Sequence, residues 1–154
     1  GEDRLPVTMG QCEPLIDGPD GLIIGCGSLA GSCLAAVEEL QKEGLNVGLI
    51  NARFIKPLDK DTLLKRIQMS PWVVSVEENT LQAGFGSAIL EAIHDAALQT
   101  GPIRRLGIPD QFIEHGDRAD LLSSLTLDAS GIADVCRELS GQTATAAVAA
   151  PLQD

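Results

Sequence analysis

Short apolar runs alternate with amphipathic segments four times within about 120 residues of this 154-residue chain. Gly21–Gly27 (GLIIGCG), Leu45–Phe54, Trp72–Glu78 and Pro102–Gly107 read as buried strands, since strands covered on both faces lose the polar alternation of a half-solvated sheet. Between them Leu29, Cys33, Ala36, Val37 and Leu40 recur at helical spacing, followed by Leu63, Leu64 and Ile67, by Ile89, Leu90, Ile93 and Ala97, and by Ile132, Val135, Cys136 and Leu139. Ser28, Asp59, Asp117 and Asp128 stand where N-caps belong, and Gly44, Ser70-Pro71 and Gly101-Pro102 where helices stop. Such a repeat gives right-handed crossovers and a mostly parallel sheet. The expected fold is therefore α/β, with helices on both faces of the sheet over residues 21–139. The leading segment, 1–20, offers one further extended piece near Gln11–Ile16 and reads as cut from something longer. The Ala/Thr-rich stretch 140–154 reads as a flexible tail.

The formal charge of −11, from 22 acidic and 11 basic residues, argues against nucleic acid or an anionic membrane as partner, because phosphate neutralisation needs clustered cations. No apolar run reaches the roughly 20 residues that span a bilayer. The first residues lack the basic and apolar regions of a signal peptide, so a cytoplasmic setting is expected. Cys12, Cys26, Cys33 and Cys136 form no C-x-x-C pair. On a strand end and two apolar helix faces, the last three read as small hydrophobes rather than zinc or redox ligands.

Four groups of residues invite a chemical reading. Gly25-Cys26-Gly27-Ser28-Leu29-Ala30-Gly31 follows a strand and opens a helix, as a dinucleotide turn does. Its third glycine stands one place late, and the second strand ends in Asn51-Ala52-Arg53 where an acidic residue would hold a ribose. A tight strand-to-helix turn with small residues for close packing is the preferred account of it. Glu77 and Glu78 are adjacent at a strand end, so the pleat separates them and they make no acid/base pair with each other. One of them is expected to accept backbone N–H bonds from the following loop or to meet a neighbouring domain. Gly84-Phe85-Gly86-Ser87 sets an aromatic between two glycines before a helix, as a phosphate cradle or with Phe85 as an apolar anchor for another surface. Asp110, Phe112, Glu114 and His115 crowd the loop after the fourth strand. There His115 is a candidate for proton transfer or for a structural bond at a domain boundary. The other histidine, His94, reads as an exposed helix residue.

The succession GLIIGCGS, NARFIKPLD, VVSVEEN, GFGSAILE and RLGIPDQFIEHG resembles the C-terminal domain of 1-deoxy-D-xylulose-5-phosphate synthases, in the transketolase-like, thiamine diphosphate-dependent group. The likeness runs from about Leu15 to Leu139. It implies a five-stranded mixed sheet with one antiparallel edge strand supplied by the leading segment. It implies a parent transferase that joins pyruvate to glyceraldehyde 3-phosphate with loss of carbon dioxide, for isoprenoid-precursor and thiamine biosynthesis. Thiamine diphosphate and magnesium would be held by the preceding domains. Gly116-Asp117-Arg118 does not continue as the family's metal-binding stretch does, so no catalytic, cofactor or metal residue is carried onto this chain. What remains expected is a domain inactive alone, packed on a pyrimidine-binding domain and supporting a homodimer. Its loop candidates for those contacts are Glu78, Phe85, Asp110, Phe112 and His115. The alternatives are a free-standing nucleotide-binding module and a regulatory or oligomerisation module.

Overall fold

In the computed structural model, residues 6–113 and 115–149 are described, the side chains of 142 and 145–149 excepted. Five strands form one sheet: β1 (Glu13–Pro19), β2 (Leu22–Gly25), β3 (Val47–Asn51), β4 (Val73–Thr80) and β5 (Ile103–Ile108), in the spatial order β1-β3-β2-β4-β5. β1 runs antiparallel to β3, and the other neighbours are parallel, with Leu22 opposite Val73 and Val73 opposite Ile103. The extended piece foreseen in the leading segment is thus real, and its pairing begins at Glu13. Two register irregularities, two prolines and a glycine mark β1 as an edge strand.

The helices are α1 (Ala30–Lys42), α2 (Lys60–Gln68), α3 (Phe85–Asp95), α4 (Arg118–Ser124) and α5 (Ala129–Ala149). The period-2 alternation of the strands sorts the core into two halves. Ile23, Leu49, Val74 and Val76 face α1 and α5 through Cys33, Leu40, Ile132 and Cys136. Leu22, Ile24, Ile50 and Val73 face α2 and α3 through Leu63, Ile67, Phe85 and Ile89. Each fully buried side chain of this size contributes about 1.5–3 kcal/mol. Crossovers on both sides of a parallel sheet bury both faces, which is why these strands carry no polar alternation.

Three aspartates cap as the sequence implies: Thr62 N donates to Asp59 Oδ1 (3.2 Å), Ala119 N to Asp117 Oδ1 (2.8 Å) and Gly131 N to Asp128 Oδ1 (2.9 Å). Ser28 does not cap α1. A 3-10 turn, Gly27–Leu29, intervenes and carries its hydroxyl away from the helix amides. α3 starts at Phe85 rather than Ser87, and its buried face is Phe85, Ile89, Ala92 and Ile93. Leu90 falls on the flank of that stripe at 37% exposed, and Ala97 lies beyond the helix end with φ +50°.

α5 continues ten residues past Leu139 into the stretch that reads as a tail. Alanine is the strongest helix former, and Thr143 turns its hydroxyl back onto the Leu139 and Ser140 carbonyls (both 3.1 Å) instead of competing for the backbone elsewhere. Residues 150–154 lie outside the described residues.

Candidate functional site

Chain direction across the sheet changes between β2 and β4. α1 follows β2 onto one face, α3 follows β4 onto the other, and the strands' carboxyl ends diverge between them. That is the switch point where open α/β sheets form a crevice. Here the crevice is occupied by the protein's own side chains. The β4 ladder to β5 breaks between Val76 and Thr80, so Glu77 and Glu78 sit in an irregular stretch that redirects them.

Glu77 is fully buried and accepts the Phe85 N–H at Oε2 (2.6 Å) and the Gly86 N–H at Oε1 (3.0 Å). These are the first amides of α3, which have no partner within the helix and carry its positive dipole end. Gly84 has no side chain with which to cap, and a Cβ there would lie 2.2 Å from the Thr80 carbonyl and 2.6 Å from Glu77 Oε2. On the other side of the loop, Arg105 donates to the Leu81 carbonyl (2.8 Å) and to Ser87 Oγ (3.1 Å), and the Ser87 hydroxyl donates to the same carbonyl (2.8 Å). The glycine loop is therefore braced from within. Its amides are committed to a carboxylate, and it offers no cradle for a phosphate.

Glu78 takes the opposite course. Arg118 Nε and NH2 donate to its two carboxylate oxygens (3.2 and 2.7 Å), and the Ser28 hydroxyl donates to Oε2. Arg118 and Ser28 hold the Glu78 carboxyl below the usual range, and Glu78 raises Arg118 in turn. One carboxylate thus ties the end of β4 to the turn after β2 and to the start of α4. Through the Ser28 hydroxyl it also engages the Gly25–Gly31 turn from within the protein.

The candidate loop residues divide. Glu78 and His115 line one cavity of about 320 Å³, walled by Ile108, Ile113, Leu121, Leu122, Leu125 and Leu127. Asp110 and Phe112 do not line it and are exposed in the loop after β5, Phe112 at 89%. Phe85 is corrected outright. It is 0% exposed within the α2–α3 half of the core, and cannot anchor another surface, because its helix begins there and turns the ring inward. Glu114 lies outside the described residues. Reading the sequence alone passes over Arg118, whose role depends on α4 folding back over the end of β4. It also places Ser28 on the wrong partner.

The thiols are quiet. Burial pushes Cys33 and Cys136 up to about 12, and burial with a hydrogen bond to Asp59 pushes Cys12 up to about 11. Burial, with Glu77 nearby, raises Cys26 as well. Among the described residues, no group of three or more His, Cys, Asp or Glu is placed to hold a metal, and no helix is long and apolar enough to cross a membrane.

Fold and site together define a mixed α/β/α domain whose switch point is closed by its own ion pair. Residues 10–132 match the family described as "Transketolase, C-terminal domain", and this chain belongs to that family. It is 42% identical over 137 residues to the 1-deoxy-D-xylulose-5-phosphate synthase of Rhodopirellula baltica, covering 89% of this chain and 21% of that protein. The synthase of Bacillus licheniformis is 46% identical over 119 residues, 77% of this chain and 19% of that protein. The chain thus spans about a fifth of the length of these curated relatives. Among solved structures, a split-gene transketolase described as an inactive beta4 tetramer superposes with a TM-score of 0.78 at 24% identity, over 89% of this chain and 43% of that one. This last likeness concerns the fold.

Proposed function

We propose that this chain acts as the C-terminal domain of a 1-deoxy-D-xylulose-5-phosphate synthase, a scaffold that completes the enzyme without supplying reacting groups. The observation that carries this reading is the identity of about 40% along nearly the whole chain to synthases of which it would form the last part. The local geometry supports it. Glu77, Glu78, Ser28, Arg105 and Arg118 are spent on bracing loops, and a site so satisfied holds shape rather than ligand. The parent reaction would join pyruvate to glyceraldehyde 3-phosphate with release of carbon dioxide, on thiamine diphosphate and magnesium held by other domains. Among the described residues no group of three or more His, Cys, Asp or Glu is placed to hold magnesium, and the turn shaped most like a diphosphate site, Gly25–Gly31, has its Ser28 hydroxyl engaged by Glu78. The partners would be the preceding pyrimidine-binding domain and a second copy of the whole enzyme.

A domain exchange tests this. The last fifth of the Rhodopirellula baltica synthase is replaced by this chain, and formation of deoxyxylulose phosphate from labelled pyruvate is followed by NMR. The fusion is expected to turn over while this chain by itself gives no product. A folded fusion without activity, or turnover by this chain alone, refutes the proposal.

A further inference from the structure

We draw no further inference here: the strongest candidate, the cavity of about 320 Å³ between α4 and the loop after β5, is lined by Glu78 and His115, already read as contacts for a neighbouring domain, and nothing in the structure shows what covers it.

Discussion

The Glu77 carboxylate lies 2.6 Å from the Phe85 nitrogen and 3.0 Å from that of Gly86, capping α3 from the strand before it. A buried carboxylate is tolerated only where such bonds replace its hydration. Glu77→Ala leaves two buried amides without an acceptor, at a cost of about 2–4 kcal/mol. Thermal unfolding followed by circular dichroism should drop by roughly 5–12 °C. Glu77→Gln keeps one acceptor and turns a donor toward the other amide, so it should also fall. A melting point within about 2 °C of the parent chain for Glu77→Ala would show that the cap carries no weight.

Glu78 makes stability depend on acid. Its carboxyl is held below the usual value of 4.5, chiefly by the Arg118 hydrogen bonds and then by Ser28. The folded value lies under the unfolded one, so this contribution is complete above the unfolded range and is lost as pH falls through the depressed folded value. Melting curves collected downward from pH 6 should therefore decline less steeply for Glu78→Gln than for the parent chain. The pair is half exposed, so the difference should shrink in high salt. Parallel curves would remove Glu78 from the acid limb.

The four thiols should resist labelling together. Three are buried, and Cys12, held up to about 11 by burial and by Asp59, has little thiolate at neutral pH. Iodoacetamide at pH 7.5 should label the native chain slowly at every cysteine, while guanidinium exposes all four. Rapid modification of one native thiol would identify an opened element, and at Cys33 or Cys136 would mean that the α1–α5 contact is loose.

Strands and helices were legible because their signals are local. Ile23 and Leu40 are apolar at the spacing their elements require, and Asp59, Asp117 and Asp128 are polar where a free amide needs an acceptor. What reading the sequence misplaced depends on partners distant in the chain. Ser28 has the composition of a cap, and only the position of Glu78, fifty residues on, diverts it. Phe85 between glycines resembles a loop aromatic until Glu77 supplies the cap that lets α3 begin there and turn the ring into the core. Arg118 carries no signal at all before α4 is folded over β4. The continuation of α5 past Leu139 was missed for another reason. Periodicity weighs the face of a helix, whereas an alanine-rich run forms one by intrinsic propensity.

Gly21 and Trp72 test how tightly the centre of the sheet is packed where its strands begin. They precede β2 and β4, whose first residues are opposite each other, and the Leu22 amide donates to the Trp72 carbonyl (3.1 Å). The indole covers Gly21 so closely that a Cβ there would stand 2.2 Å from two ring atoms. Because the ring is fully buried in the α1–α5 half of the core, it has no free space in which to retreat. Gly21→Ala should displace it at a cost of about 1–3 kcal/mol, the usual penalty for overpacking. Trp72 is the sole tryptophan, so its emission reports the displacement directly, moving to longer wavelength in the variant before any denaturant is added. Identical emission and melting in the two proteins would mean that the ring sits elsewhere than against Gly21.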